Sequence, residues 1–455
     1  MGEKCDRQSE RCSHLVMGLL HVCCLILCGA GSASAQVNIP DTPAGRVFTA
    51  WLAAFNSGSR EELDDYFKKY ELSKHADSVM GFRDRTGGFD VISIEYSKPL
   101  SIVAVLKERN SDTRALRKLE VTATDPPQVS ISGLNGIPPG ATVIGFDIDA
   151  ATRARVIDAA AAMLDEFYVF PEVANKMRIA VRGRAKRGEY DSVIDGNAFA
   201  TLLTAQFQEI SHDKHLSVNF SPVRLPDESE DGTAKAKTQY QLAVERVNCG
   251  FDKVEVLSGN VGYLKFDFFA DPDVCGTTAI AAMAFLANVD AVIFDLRENG
   301  GGDPAMIAFL STYLFGSPAH LNDLWERKGD QTRQYWTLPY VPGKRLPTVP
   351  AYVLTSHRSF SGAEEFSNNL KVLKRATIVG EVTGGGAHPV SGHKIDERFS
   401  IGVPYARAVN PTTKTNWEGT GVEPDVKVAA GDALSTAQKL AAEELARRRA
   451  AKPAS

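Results

Sequence analysis

The chain has 455 residues, of which 44% are hydrophobic and 24% charged, and a formal net charge of -5. That length exceeds one ordinary core, so two or three domains are expected, and the composition is that of a globular protein rather than a disordered or fibrous one. The weakly negative charge offers no basic field, which argues against nucleic acid as a partner.

The N-terminus opens with Lys4, Arg7 and Arg11, then the apolar run LVMGLLHVCCLILCGA and Ala33-Ser34-Ala35. A basic start, an apolar middle and an A-x-A ending are the parts of a secretory signal peptide. The run is shorter than the ~20 residues a spanning helix needs, which favours cleavage after Ala35 over a membrane anchor. Residues 1–35 are therefore expected to be removed, leaving an exported protein, periplasmic or extracellular, that begins at Gln36 and has no stable membrane span. A lipid anchor at Cys28 is disfavoured by the bulky Leu27 before it. Five of the seven cysteines lie in this leader, and Cys249 and Cys275 remain. In an oxidising compartment these two either form one disulfide or stay as buried thiols, and they flank a segment able to fold back as a hairpin.

Residues 36–140 read as a small α+β unit. TPAGRVFTAWLAAFNSG has helical periodicity and stops at Gly58, and SREELDDYFKKY restarts with a capping box from Ser59 to Glu62. FDVISIEYS, LSIVAVLKER and LRKLEVTAT then read as strands, rich in β-branched and aromatic residues. Helices followed by an antiparallel sheet resemble a nuclear-transport-factor-2-like cone. No catalytic cluster stands out there. GLNGIPPGA (133–141) has the Gly and Pro content of a linker. Residues 145–221 are expected to form a helical subdomain that ends in the strand-like SHDKHLSVNFSP. The stretch 222–250 is polar and without strong pattern. Residues 252–455 alternate short strands with helices, which implies βαβ units, and close on a helix with a basic end.

Three places carry chemistry. In YVLTSHRSFSGAEEF a strand runs through a short loop into a helix that starts at Ser361-Gly362. A hydroxyl there sits beside free backbone N–H groups and the positive end of the helix dipole, which suits a nucleophile whose attack creates an oxyanion. Taken alone, Ser361 to Glu364 is more commonly an ordinary capping box. In DLRENGGGD a buried strand runs into Gly300, Gly301 and Gly302. Such a turn either closes a βα unit or bares N–H groups toward a ligand; the Gly-Lys-Ser/Thr ending of a phosphate loop is missing. In SHDKHLSV, His215 is adjacent to Lys214, and on a strand only one of them can face Ser361. The histidines lack metal-ligand spacing, so no metal and no cofactor are expected.

Together these segments resemble the tail-specific or C-terminal processing protease superfamily, on the branch that includes interphotoreceptor retinoid-binding protein and tricorn core protease. The resemblance is carried by Asp213-Lys-His215-Leu, Asp295-Leu-Arg297-Glu-Asn299-Gly-Gly-Gly, Ser359-Phe-Ser361-Gly-Ala-Glu364, Gly380-Glu-Val-Thr383-Gly-Gly-Gly and Asn416-Trp-Glu418-Gly-Thr-Gly-Val-Glu-Pro424-Asp425. It implies an α/β core of ClpP/crotonase type with a helical N-terminal subdomain. It further implies a serine-type peptidase acting on a peptide or protein substrate, with Ser361 as nucleophile, His215 as base and Glu418 in the position of a catalytic glutamate. The oxyanion hole would be the N–H groups of Gly362 and of one glycine in the 300–302 loop, taken as Gly301. The lysine base of the bacterial processing proteases has no counterpart in GEVTGGGAHP, so histidine carries that role, and the resemblance leaves open whether Glu418 contacts His215 or pairs with Lys214. The stretch after the histidine motif is too short for a regulatory PDZ domain. The alternative is a non-catalytic binding protein for hydrophobic ligands or peptides on the same scaffold. The oligomeric state is left open.

Overall fold

The computed structural model describes residues 37–72, 74–137, 140–224 and 230–451. The expected leader and its cleavage point lie outside them.

The first unit packs three helices, α1 (Pro43–Ser57), α2 (Arg60–Tyr70) and α3 (Asp77–Thr86), against an antiparallel meander of β1 (Phe89–Lys98), β2 (Ser101–Glu108), β3 (Arg114–Val121) and β4 (Val129–Ile137). Its boundaries follow from local chemistry. Gly58 ends α1 with φ 71°, and the Ser59 hydroxyl accepts from the Glu62 N–H to start α2. Phe48, Leu63, Phe89, Ile102 and Leu119 form its separate core. Strand β4 extends to Ile137, into the segment read as a linker. Gly133 and Gly136 do not break this edge strand, because its ladder to β3 needs backbone groups rather than side chains.

The second unit holds α4 (Ala150–Phe167), α5 (Pro171–Lys186), α6 (Gly196–Ser211) and β5 (Ser217–Phe220). Val156, Leu164, Met177, Phe199, Leu203 and Phe207 meet at helical spacing and bury against Leu216 and Phe399. The patternless stretch contains α7 (Glu230–Arg246). Much of that helix after residue 236 is exposed, so no apolar stripe marks it in the sequence.

The remaining elements are β6 (Phe251–Leu257), β7 (Val261–Phe266), α8 (Pro272–Phe285), β8 (Ala291–Asp295), α9 (Pro304–Thr312), β9 (His320–Glu326), β10 (Gln331–Trp336), β11 (Ala351–Thr355), α10 (Gly362–Val372), β12 (Thr377–Gly380), β13 (Val390–Lys394), β14 (Phe399–Pro404), β15 (Ala406–Val409), β16 (Val426–Lys427) and α11 (Ala433–Ala450). The central sheet has the order β16-β12-β11-β8-β7-β6, parallel except for the β6/β7 pair. Every residue of β8 and β11 is buried, as expected for strands covered on both faces. Core clusters on the two faces include Phe294 and Phe366 in one and Tyr263, Val379 and Ala437 in the other. Two small sheets complete the unit, β10-β9-β15 and β13-β14-β5. The second brings β5 of the helical unit onto β14 and so delivers the residues just before β5 to the core. The β6/β7 hairpin forms, and Cys249 is joined to Cys275 by a disulfide. Among the described residues, no helix is long and apolar enough to cross a membrane.

Candidate active site

In parallel α/β sheets, ligands collect at the carboxyl ends of the strands, and two such ends meet here. The loop after β11 is tied to the loop after β8. The Ser359 hydroxyl donates to the Leu296 carbonyl at 2.7 Å, the Ser356 hydroxyl donates to the Arg297 carbonyl, and the Phe360 N–H donates to the Asn299 carbonyl at 3.1 Å. Arg297 in turn pairs with buried Asp295, which also accepts from the Tyr263 hydroxyl at 2.7 Å. The D-L-R part of that motif is therefore a structural clamp.

Ser361 stands at the tip with φ 53° and ψ -116°. A non-glycine residue in that region costs about 1–3 kcal/mol and is held only where the surroundings impose it. The carboxylate half of the capping box does so: the Ser361 N–H donates to Glu364 Oε2 at 2.8 Å. The Glu364 N–H donates to the Ser361 carbonyl at 2.9 Å, so the hydroxyl on the other side of the capping box is not its sole acceptor, and Ser361 lines the cavity. Glu364 is fully buried and also accepts from Thr383 Oγ1 and the N–H groups of Gly385 and Gly386. Burial raises its pKa while these hydrogen bonds pull it down. The T-G-G-G motif thus forms a cradle for the carboxylate that holds the serine turn.

The glycine loop allocates its N–H groups one by one. Gly300 donates to the Asp267 carbonyl, Gly301 to Asn299 Oδ1 at 2.9 Å, and Asp303 to the Phe269 carbonyl. Among the described residues, the N–H groups of Gly302 and Gly362 have no acceptor, and a Cβ built on Gly362 would lie 2.9 Å from Gly302 N. The Gly301 N–H, expected as an oxyanion donor, is thus engaged by Asn299, and the N–H left without an acceptor in this loop is that of Gly302. Gly301 matters as packing instead: a Cβ on it would meet Gly362 N at 2.6 Å and Ser361 Cβ at 2.7 Å.

His215 lines the same cavity as Ser361, Gly302 and Gly362, a cleft of about 570 Å³. Its ring lies against Phe360, with centroids 4.6 Å apart, and under Gly386, where any Cβ would come within 2.5 Å of Cε1. Both ring nitrogens are buried, with no hydrogen-bond partner among the described residues. Desolvation lowers its pKa to about 4, against an upward pull from Asp213. Lys214 turns away and donates to the Gly384 carbonyl at 2.6 Å. The two residues sit in a turn before β5 rather than on the strand, so strand alternation is not what separates them.

Glu418 reaches neither His215 nor Lys214. It accepts from the Ala387 N–H and lies 3.5 Å from His388 Nδ1. Burial pushes its pKa up to about 7. The group facing His215 is Asp213, which is 1% exposed. Asp213 Oδ1 accepts the His215 N–H at 3.0 Å and lies 4.0 Å from His215 Nδ1, while Oδ2 pairs with His388 Nδ1 at 2.7 Å and accepts from the Tyr168 hydroxyl at 3.3 Å. Asp213, His388 and Glu418 bring ligand atoms within 4.8 Å of one another and could approach a metal ion, but the 2.7 Å contact is a hydrogen bond that already joins two of them. Asp213 was present in the D-K-H motif without a role of its own. His388 had no sequence signal, because its partner is 175 positions away.

Two family models match the chain in order. The first, N-terminal domain of Peptidase_S41 in eukaryotic IRBP, covers residues 150–257, and Peptidase family S41 covers residues 260–428. Among solved structures, a candidate peptidase of Parabacteroides merdae is 20% identical, with 64% of this chain and 96% of that chain covered and a TM-score of 0.44. The photosystem II D1 C-terminal processing protease is 15% identical, with 62% and 94% covered and a TM-score of 0.39. The tricorn protease is 12% identical, with 79% of this chain and 47% of that chain covered and a TM-score of 0.42. The assignment rests on the two family matches, which fall on the helical unit and on the sheet that carries Ser361. The chain belongs to peptidase family S41 and is a serine-type peptidase.

Proposed function

We propose that the chain is an exported peptidase that cleaves peptide bonds through an acyl-enzyme on Ser361, with His215 as general base. The observation that carries this reading is one cavity lined by the strained Ser361, by His215 and by the two unclaimed N–H groups of Gly302 and Gly362. His215 would take the Ser361 proton as Oγ attacks the scissile carbonyl, then return it to the leaving amine. The Gly302 and Gly362 N–H groups would receive the oxyanion. Asp213 would steady the imidazole from its far side. Ser361 and His215 share no hydrogen bond here; contacts of this kind tighten when substrate enters. Glu418 acts at one remove, through His388. The core is read as ClpP/crotonase-like, and the first unit as a nuclear-transport-factor-2-like accessory module.

The A-x-A leader supports export. The reading is tested by incubating the mature protein and its Ser361→Ala form with a proteome-derived peptide mixture. New termini formed by the first and absent with the second are expected. Identical peptide profiles would contradict peptide-bond hydrolysis and favour a binding role.

A further inference from the structure

The cavity has a second polar feature that acyl transfer does not use. Glu365 lines it while only 5% exposed, and among the described residues its Oε1 has no hydrogen-bond partner. Asn322 and Asn369 are fully buried, and neither the oxygen nor the nitrogen of either amide has a hydrogen-bond partner among the described residues. Asn369 follows Glu365 by one turn of α10, so the two share a helix face. Asn322 stands on β9 directly opposite Tyr335 of β10, and Leu324 stands opposite Arg333. Opposed residues of an antiparallel pair project to one face, and Leu324, Arg333 and Tyr335 all line the cavity. Asn322 therefore lies on the face of that sheet turned to the substrate cleft. Burial pushes the Glu365 carboxyl up to about 8, and the nearby amides of Asn322 and Asn369 pull it down without closing a hydrogen bond of normal geometry.

Buried polar atoms are almost always paired, and five unpaired ones gathered at the edge of a cleft are what a site missing its ligand leaves behind. The two amide nitrogens can turn to the Glu365 carboxyl beside them, which leaves that carboxyl's remaining lone pairs and the two amide oxygens as acceptors, so a ligand that brings donors completes the set. A second anion would face both Glu365 and Asp303, which also lines the cleft. Arg333 lines it too, but is exposed, where solvent and salt screen its charge. Ser361 and Glu365 are four residues apart at the start of α10, neighbouring positions along the helix. We propose that Glu365, Asn322 and Asn369 form the specificity pocket of this peptidase and receive a cationic substrate side chain, lysine or arginine, close to the scissile bond. A bound cation restores the ionised form of Glu365, and the amides complete its hydrogen bonds. The pocket's place beside the bond cleaved rests on the acyl-transfer reading; its affinity for a cation does not.

The test separates the two. Fluorescein-labelled alanine hexapeptides, each with one lysine or one norleucine walked through the positions, are titrated against Ser361→Ala protein, which cannot turn over. At one position the lysine peptide should bind about ten-fold or more tightly than its norleucine counterpart, the scale of one charge-assisted hydrogen bond. Adding Glu365→Gln, which preserves shape, should bring the two within about two-fold. Equal binding of lysine and norleucine peptides, no binding by either, or a preference that survives Glu365→Gln would overturn the pocket; the first comparison needs no change at Glu365. The same peptides are then given to the wild type. Lysine peptides that bind selectively yet stay intact would sink the peptidase reading and leave the pocket standing; cleavage without lysine preference would do the reverse.

Discussion

Gly301→Ala probes the serine turn through a residue that need not touch substrate. The new methyl would sit 2.6 Å from Gly362 N, 2.7 Å from Ser361 Cβ and 2.8 Å from the Phe360 carbonyl oxygen, where ordinary contact begins near 3.4 Å. The serine turn must therefore retreat by roughly 0.6–0.8 Å, because these neighbours are backbone and Cβ atoms that cannot swing aside. Gly301 also has φ 103°, which adds backbone strain for any L-residue. Overpacking of this kind costs about 1–3 kcal/mol. Displacing a nucleophile by about 1 Å can cost ~100-fold in rate, so kcat/KM should fall by at least about 30-fold while the protein remains folded. Gly300→Ala is the control, since a Cβ there meets nothing within 4 Å and its φ is not in the left-handed region. It should keep kcat/KM within about three-fold. The assay is hydrolysis of a fluorogenic peptide beside urea unfolding of each variant. A Gly301→Ala enzyme as active as Gly300→Ala would refute the proposed contact between the glycine loop and the serine turn.

Two further outcomes follow from the groups around the serine. His215→Ala should lower kcat/KM by about 100-fold or more, whereas Lys214→Ala, which loses only a contact to the Gly384 carbonyl, should cost less than about ten-fold. An active His215→Ala enzyme with a dead Lys214→Ala would reverse the roles. For pH dependence, the base works as neutral imidazole, and burial lowers His215 to about 4. kcat/KM should therefore rise as pH climbs through about 4 and show no histidine limb near 6.5. Because Glu418 is pushed up to about 7, the profile is measured on wild type and on Glu418→Gln; an inflection near 6.5 that survives the substitution would contradict the buried, neutral state of His215.

Much of the site was legible because its parts are local. Ser361 lies where a buried strand meets a helix, and His215 lies in a short motif ahead of a strand; both signals sit within a few residues of the groups they mark. Other features depend on tertiary packing. Which of Gly300, Gly301 and Gly302 keeps a free N–H depends on the loop's dihedrals and on where Asn299 points, and three identical letters hold neither. Glu418 was placed by resemblance, but its partner is His388, brought in by a turn that no periodicity marks. Glu364 read as half of a helix cap; its other three hydrogen bonds come from residues 383–386 and depend on tertiary packing. Helices α1 and α2 show in the sequence through the stop at Gly58 and the capping box from Ser59 to Glu62, and α4 to α6 through apolar periodicity alone. Helix α7 does not, because its part after residue 236 is mostly exposed and has no stripe to read.

The central claim is that Ser361 is the nucleophile of this peptidase, and active-site labelling tests it most directly. The mature protein is treated with a fluorophosphonate and the adduct is mapped by mass spectrometry. One adduct is expected, on the peptide that contains Ser361, absent from Ser361→Ala and slowed by at least about ten-fold in His215→Ala. Labelling undiminished in Ser361→Ala, or an adduct mapped to another serine, would contradict it.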